Sequence, residues 1–214
     1  MGIGDHGTPP TREPQGSDEG VVVPALDAAS SVGCLRSLGR RGIRTIAVSE
    51  LDNPPGFASK YTDETVRIPD PHTDLEGYAN GLARLAARDD VAAILPMREV
   101  DVYVLARDRE RFADHVTPTW PDLATLRGAQ DRQRLFAAAD RAGVAAPETR
   151  PLDEWDDWDR ETIVKPRYTF HAPEYDDSFE TAAFHHNSTQ YVERGTEPDV
   201  DGLIERMGHV PLAQ

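Results

Sequence analysis

Residues 20–49, GVVVPALDAASSVGCLRSLGRRGIRTIAVS, are the most informative segment of the sequence for the fold. It opens, after one glycine, with three consecutive valines, a short β-branched run that is typical of a buried strand. The next segment predicts a helix over residues 32–41, with Ser30 or Ser31 as its cap. Residues 43–49 then alternate as a second strand does. A strand, a helix and a strand in this order predict a right-handed βαβ unit.

The same alternation continues towards the middle of the chain. Residues 65–69 predict a short strand that ends at a proline, and residues 91–95 predict a continuously apolar strand that is closed by Pro96. Asp74 is placed to cap a helix, and residues 99–108 predict another. Apolar strands that alternate with helices are typical of a parallel sheet covered on both faces. We therefore expect residues 20–118 to form a Rossmann-like α/β domain.

A second domain is expected over residues 119–214, after a polar tail at 1–19 that is too poor in apolar residues to fold. The second domain should begin with a helix over residues 129–142 that turns Leu135, Phe136 and Ala139 inwards. Its further predicted elements are strands at 163–167, 189–192 and 210–214, a helix at 198–207, a loop at 168–188, and a core that contains Trp155 and Trp158.

The charge of the chain excludes one class of function. It holds 38 acidic and 23 basic residues, for a net charge of −15, and only two of the bases, Lys60 and Lys165, are lysines. Binding to duplex DNA depends on Lys and Arg that neutralise phosphates, so we expect no nucleic-acid partner. The composition indicates a salt-loving source. With no predicted membrane span or secretory signal, we expect a cytoplasmic protein.

Lys165 is the residue that most directly indicates chemistry, because it ends a predicted strand in a chain that has only two lysines. An ammonium at such a place can contact nucleotide phosphates, although a surface lysine paired with an acid fits the pattern as well. The glycine fingerprint of dinucleotide sites, the phosphate-binding P-loop and the serine nucleophile elbow are all absent from the sequence. Neither the single cysteine, Cys34, nor His171, His185 and His186 have the spacing of a metal site.

Several segments, in order along the chain, resemble the ATP-grasp carboxylate–amine ligases. The family usually has Asp-Lys where this chain has Asp131-Arg132, and its nucleotide-binding lysine strand is similar to Ile163-Val164-Lys165-Pro166-Arg167. The segments that carry the resemblance are residues 36–44, 59–61, 68–71, 128–135, 143–149, 163–167 and 210–214. The resemblance implies a Rossmann-like pre-ATP-grasp domain followed by the smaller α+β subdomain of an ATP-grasp fold.

The resemblance also implies a ligand and the residues that bind it. Lys165 matches one phosphate-binding cation of the family, Arg132 stands where a second one is usual, and Arg167 would assist them. Magnesium would be the second cofactor, with its ligands in a C-terminal half beyond this chain, so we assign no catalytic or metal-binding residue here. Glu99 and Asp101 match acids near the family's substrate side, although acids at a helix N-terminus explain them as well. The family has a glycine-rich loop where residues 168–188 contain no glycine.

We therefore predict the N-terminal part of an ATP-dependent ligase that joins a small carboxylate to an amine through an acyl phosphate. We expect the chain to be a fragment, because the strand at 210–214 is where the family continues into its adenine-binding hinge. It would work either as a homo-oligomer or with a complementing C-terminal chain. The alternatives are a non-catalytic remnant or small-molecule binding module, and an unrelated Rossmann-like enzyme.

Overall fold

The computed structural model describes residues 19–184 and 188–214. Residues 1–18 of the predicted tail, and His185 and His186, lie outside the described residues. The chain divides into two compact units, Met1–Trp120 and Pro121–Gln214. The identity of these two regions as the two domains of a larger fold remains a prediction.

The first unit contains, in its described part, a four-stranded parallel sheet with the strand order β3-β2-β1-β4. Val22 and Val23 of β1 and Ile46 and Val48 of β2 are completely buried, which explains the apolar residues at these positions of the central strands. The elements are β1 (Gly20–Val23), α1 (Ala29–Gly39), β2 (Arg44–Ser49), β3 (Glu64–Arg67), α2 (Leu75–Ala86), β4 (Val91–Ile94), α3 (Glu99–Arg107) and α4 (Arg109–Ala113).

Two local predictions in this unit have opposite outcomes. Asp74 is the N-cap of α2 and accepts a hydrogen bond from the Gly77 N–H at 2.8 Å, as the sequence predicts. The predicted cap of α1 is wrong, because α1 begins at Ala29 and its N-cap is Ala28. A tight turn, in which the Ala28 N–H donates to the Ala25 carbonyl, starts the helix early. Ser30 and Ser31 consequently lie inside the first helical turn.

An ion-pair network joins the amino-terminal ends of three strands. Glu64 of β3 accepts from both Arg44 of β2 and Arg88, and Asp90, just before β4, accepts from the same two arginines. The hydrogen bonds that Asp90 accepts, above all from Arg88 and also from Arg44, lower the pKa of Asp90 to about 2. All four side chains are partly exposed, so the network fixes the alignment of the strand ends more than it adds to stability.

A second network lies at the carboxyl ends of the strands, and it is buried. Arg98 donates to Glu50 at 2.6 Å and to the Tyr78 hydroxyl at 3.3 Å, and Tyr78 donates to Asp101 at 2.6 Å. Burial, followed by the Asp101 carboxylate, raises the pKa of Tyr78 well above its ordinary value, so the phenol remains a donor. Asp101 also accepts from the backbone N–H groups of Met97 and Arg98. It therefore has the structural role that sequence reasoning favoured, as an acid at the start of α3.

The second unit is built, where the structure describes it, on a four-stranded antiparallel sheet with the order β5-β10-β6-β9 and on a separate hairpin of β7 and β8. Its elements are α5 (Leu123–Gln130), α6 (Arg132–Arg141), β5 (Arg150–Pro151), β6 (Thr162–Lys165), β7 (Phe170–His171), β8 (Ala183–Phe184), β9 (Gln190–Val192), α7 (Val200–Met207) and β10 (Leu212–Ala213).

One face of this sheet forms the core of the unit. Val164 of β6 and Ala213 of β10 pack with Leu203 and Met207 of α7, which confirms the helix predicted near the end of the chain. Trp155 is buried in the same cluster and Trp158 packs against it, as the sequence predicts. Side chains alternate between the two faces of a strand, so the residues on either side of Val164 in β6 point to the opposite face of the sheet.

The helix predicted over residues 129–142 is interrupted in the structure. Asp131 adopts an extended conformation between α5 and α6, and its carboxylate caps α6 through the N–H groups of Gln133 and Arg134. The prediction that Leu135 faces inwards is wrong, because its side chain is 45% exposed and α6 contains no buried residue. No helix within residues 19–184 and 188–214 has the length and apolar content needed to span a membrane.

The buried network at the carboxyl ends of the strands generates a prediction about stability. We expect Arg98→Leu to lower the free energy of unfolding by about 3–5 kcal/mol, because it leaves Glu50 and Asp101 without their buried cation. Urea unfolding followed by circular dichroism measures the change. Arg84→Leu, at an exposed position of α2, is the matched control and should change this free energy by less than about 0.5 kcal/mol. Equal losses in the two variants would contradict the prediction.

Candidate functional site

The outer face of the antiparallel sheet, opposite the α7 core, forms one wall of an open cavity. Ile163 and Lys165 of β6 lie two residues apart and share this face, and Tyr191 of β9 stands directly opposite Ile163. These three residues and Gln214 are among those that line the cavity, which has a volume of about 580 Å³. This volume is in the usual range for small-molecule sites, roughly 300–1,000 Å³.

Lys165 supplies an ammonium group to this cavity. The side chain is partly buried, and it makes no ion pair or hydrogen bond with any residue in the described part of the chain. The explanation of Lys165 as a surface lysine paired with an acid therefore finds no support in the described residues. A cation that lies partly out of water without a partner is suited to an anionic ligand.

Arg132, the second predicted phosphate-binding residue, makes contacts with the backbone that follows Lys165. Its guanidinium donates to the Pro166 carbonyl at 2.5 Å, and its own N–H donates to the Arg167 carbonyl at 3.2 Å. These bonds join the first turn of α6 to the end of β6. Arg132 thus lies close to the lysine strand, as the resemblance implies, while its guanidinium already has a protein acceptor.

Arg167, the third predicted residue, forms a two-point ion pair with Asp131. Its Nε donates to Oδ1 at 2.9 Å and its Nη2 donates to Oδ2 at 2.7 Å. The Tyr168 hydroxyl donates to the same carboxylate at 3.0 Å, and Arg134 adds an ion pair at 3.2 Å. Asp131 is completely buried, so these donors replace the water that its charge has lost. The sequence analysis names Asp131 only as part of a motif and does not predict that it pairs with Arg167 and Tyr168. The only sequence signal for this residue is its position just before a helix, where an Asp can act as the cap.

The ionisation of this cluster follows from its contacts. Burial alone raises the pKa of Asp131, but the hydrogen bonds and charge of Arg167, with the Tyr168 hydroxyl, outweigh burial and lower that pKa below its ordinary value. Burial, followed by the Asp131 charge, raises the pKa of Tyr168, so its hydroxyl stays protonated and donates. Asp131 therefore stays negatively charged, and its hydrogen bonds hold Arg167 and Tyr168 in place.

The segment that sequence reasoning treats as a loop, residues 168–188, is folded over most of its described part. β7 and β8 pair in an antiparallel hairpin, with Phe170 opposite Phe184 and His171 opposite Ala183. Aromatic side chains build a small core around this hairpin. The buried members are Tyr168, Phe170, His171, Tyr175 and Phe179.

Two histidines join this aromatic core to the rest of the unit. His171 lies flat against Phe179, with ring centroids 4.0 Å apart, and its Nε2 is 3.1 Å from Nδ1 of His209. Nε2 of His209 accepts the Arg167 N–H at 2.9 Å. Since Nε2 is an acceptor, the proton of a neutral His209 is on Nδ1 and is donated to His171. His209 is therefore a bridge between the hairpin and the chain after Lys165.

Other candidates from the sequence have structural explanations or stay untested. Within the described residues there is no group of three or more His, Cys, Asp or Glu side chains that could hold a metal ion. Cys34 packs against the core of the first unit, and burial raises the pKa of its thiol, so the thiol remains protonated. Of the histidines considered for a metal, His171 belongs to the hairpin.

The chain resembles solved structures in fold, whereas neither a protein-family model nor a curated protein matches its sequence. L-amino acid ligase from Bacillus licheniformis matches with a TM-score of 0.62 and 11% identity, over 91% of this chain and 43% of that chain. N5-carboxyaminoimidazole ribonucleotide synthetase from Thermotoga maritima has a TM-score of 0.49 and 13% identity, over 91% and 44%. The biotin carboxylase domain of a thermophilic 2-oxoglutarate carboxylase, bound to ADP, has a TM-score of 0.43 and 17% identity, over 92% and 43%.

The first of these structures, an ATP-grasp enzyme, has a TM-score high enough to establish a common fold. The fold class expected from the sequence, with a Rossmann-like parallel sheet followed by an α+β unit of the ATP-grasp type, is confirmed. The chain spans less than half the length of the structures it matches. At this level of identity the likeness extends to the fold alone.

The Asp131 cluster generates a prediction about pH. We expect Asp131→Asn to lower the free energy of unfolding at pH 7 by about 3–5 kcal/mol, because Arg167 loses its buried counter-charge. The folded pKa of Asp131 lies below the unfolded value of about 3.9, so its contribution is complete above that pH. The difference between the two proteins should therefore shrink as the pH falls below about 4.

Urea unfolding at a series of pH values measures this difference. Asp140→Asn, which removes an exposed acid from the same helix, is the matched control and should have an effect below about 0.5 kcal/mol at every pH. A loss for Asp131→Asn that stays constant from pH 7 to pH 3 would contradict the electrostatic explanation.

The hairpin generates a prediction about dynamics. Amide exchange at Phe170 and His171 should be slow without any added ligand, because these residues pair with β8 and are buried. Phe179→Ala removes the ring that stacks on His171, at a cost of about 3–5 kcal/mol for a core aromatic residue, and should accelerate this exchange at least about tenfold. Glu180→Ala, at the exposed neighbouring position, should leave exchange unchanged. Fast exchange in the unmodified chain would show that the hairpin is not stably folded.

Proposed function

We propose that this chain binds ATP and forms the nucleotide-binding part of an ATP-dependent carboxylate–amine ligase. The observation that carries the proposal is the unpaired Lys165 ammonium in a cavity on the outer sheet face, within a fold common to ATP-grasp enzymes. The ligase activity itself is inferred by analogy, since the chain covers 43% of the L-amino acid ligase that it resembles.

The three predicted cations would divide the work between them. Lys165 would contact the phosphates directly, as a point charge with three donors. Arg132 and Arg167 would add positive potential beside it, while their hydrogen bonds to Pro166 and Asp131 hold the backbone in place. Direct contacts between these two arginines and a phosphate remain part of the proposal.

In the reaction proposed here, a substrate carboxylate attacks the γ-phosphate of ATP and ADP leaves. An amine then displaces phosphate from the acyl phosphate, which gives an amide or peptide bond. Magnesium offsets charge on transferred phosphoryl groups in such reactions. No group of three or more His, Cys, Asp or Glu side chains in the described residues could hold a metal ion, so this proposal takes the magnesium ligands from outside them.

A second candidate function is a non-catalytic binding module for a small molecule. It is favoured by the charges around the cavity, because Glu161 and Glu193 line it together with Lys165. The balance of two acids against one base would suit a ligand with its own positive charge. This candidate predicts that a small amine binds and that ATP does not.

The cellular setting and the partners are proposed on the sequence alone. We propose a cytoplasmic, salt-adapted protein that acts on a small carboxylate and a small amine. It would do so as a homo-oligomer or with a complementing C-terminal chain.

The proposal is tested by calorimetric titration of the chain with ATP and magnesium in concentrated KCl. We expect binding, and we expect Lys165→Ala to weaken it about 10- to 150-fold, because a hydrogen bond to a charged group contributes about 1.5–3 kcal/mol. Lys60→Ala removes the other lysine of the chain, in the first unit, and should leave the affinity unchanged. No binding of ATP by the unmodified chain, or equal affinities of all three proteins, would contradict the proposed role of Lys165.

A further inference from the structure

Two histidines of the second unit are joined directly through their rings. Nε2 of His171 is 3.1 Å from Nδ1 of His209, and the rings meet edge to face with centroids 4.9 Å apart. His171 is buried in the hairpin, whereas His209 follows α7 and is partly exposed. The pair therefore connects two segments that are 38 residues apart in the sequence, and one of its rings is open to solvent protons.

The second nitrogen of His209 determines where the protons of the pair lie. Nε2 of His209 accepts the Arg167 N–H at 2.9 Å and the Tyr168 N–H at 3.4 Å. An imidazole nitrogen that accepts carries no proton, so neutral His209 has its proton on Nδ1 and donates it to His171. Nε2 of His171 is then the acceptor, and the proton of that ring is on Nδ1.

A further proton cannot be added to this pair without the loss of a hydrogen bond. A proton on Nε2 of His209 would face the Arg167 N–H, and one on Nε2 of His171 would face the Nδ1–H of His209. If the His209 proton moved to Nε2 to relieve that second conflict, Arg167 would again lose its acceptor. The arrangement therefore requires two neutral rings, and histidine ordinarily becomes charged below a pH of about 6.5.

We propose that His171 and His209 form an acid-sensitive latch, which holds the hairpin to the chain after Lys165 while both rings are neutral and releases it when the pair takes up a proton. The latch is complete above a pH of about 6.5 and is lost as the pH falls below that value, because protonation competes with its hydrogen bonds. The released segment would begin two residues after Lys165. The proposal is independent of ATP binding.

The carboxylates nearest to this arrangement are engaged by donors other than the two rings. Asp131 accepts from the Arg167 guanidinium at 2.7 Å, and Asp176 accepts from the Tyr168 hydroxyl at 3.3 Å. Both remain in place when the latch opens, so we expect local loosening of the hairpin and not unfolding of the whole unit. The other charged side chains of the neighbouring segments are Lys165 of β6, Glu174, Asp177 and Glu180 between β7 and β8, and Glu205 and Arg206 of α7.

The backbone N–H of Arg167 reports the state of the latch, because its acceptor is the ring of His209. Its exchange with solvent is measured by NMR at pH 7.5 and pH 5, each time relative to an unstructured peptide at the same pH. We expect the relative exchange rate to be about 5- to 150-fold higher at pH 5, the range for the loss of one such hydrogen bond. The amides of Phe170 and His171 should follow in the same direction.

A variant without a titrating ring separates the latch from other effects of acid. His209→Gln provides an amide oxygen that can accept the Arg167 N–H and stays neutral, so the relative exchange rates at the two pH values should agree within about twofold. His115→Gln removes an exposed histidine of the first unit and is the matched control. It should keep the pH dependence of the unmodified chain.

The ring nitrogens of the unmodified chain test the latch without any substitution. Nitrogen-15 spectra at pH 7.5 should show His209 protonated at Nδ1 and unprotonated at Nε2. A proton on Nε2 at that pH would overturn the proposal, as would equal relative exchange of the Arg167 N–H at pH 7.5 and pH 5. The same pH dependence in His209→Gln as in the unmodified chain would also overturn it. No ligand is added in these measurements, so none of these outcomes bears on the proposed function.

Discussion

The carboxylate of Asp131 is the group on which the second unit depends. It has lost all contact with solvent, and a buried charge is tolerated only where donors surround it. Two helix N–H groups, the guanidinium of Arg167 and the hydroxyl of Tyr168 meet there. This single requirement starts α6, fixes the chain that leaves β6 and anchors the segment that follows.

Because the chain is acidic, a basic side chain that is not held in an ion pair is important for the binding of an anion. Many of the arginines in the described residues are held in ion pairs. Arg44 and Arg88 are paired at the amino-terminal ends of the parallel strands, and Arg98 is paired at their carboxyl ends. Those guanidinium groups organise the protein and are already satisfied. Lys165, by contrast, faces a cavity and forms no ion pair with a described residue, although Glu161 and Glu193 line the same cavity, so its charge is available to a ligand. In an acidic chain, selectivity for an anion depends on such local exceptions to the overall charge.

The hairpin that follows Lys165 changes how the site would work. A glycine-rich loop orders only when it covers a ligand, and its ordering costs conformational entropy at that moment. Here stacked and edge-to-face rings of Tyr168, Phe170, His171 and Phe179 hold the segment in place, and His209 connects it to the backbone of Arg167. The conformational entropy of this segment is lost when the protein folds, before any ligand binds. A segment that is already folded loses less conformational entropy when a ligand binds than a loop that must become ordered around the ligand.

The parallel βαβ architecture, the helix near the end of the chain and the prominence of Lys165 could all be predicted from the sequence. Those features follow from apolar periodicity, capping residues and the rarity of lysine, all of which are local or compositional. Only the tertiary structure decided that Arg167 is paired with Asp131, that Arg132 contacts Pro166, and that residues 168–184 are folded. Each of these depends on groups that are distant in sequence, as in the Asp131–Arg167 pair at a separation of 36 residues. No periodicity records such a contact, because its geometry exists only once β6 and α6 lie side by side.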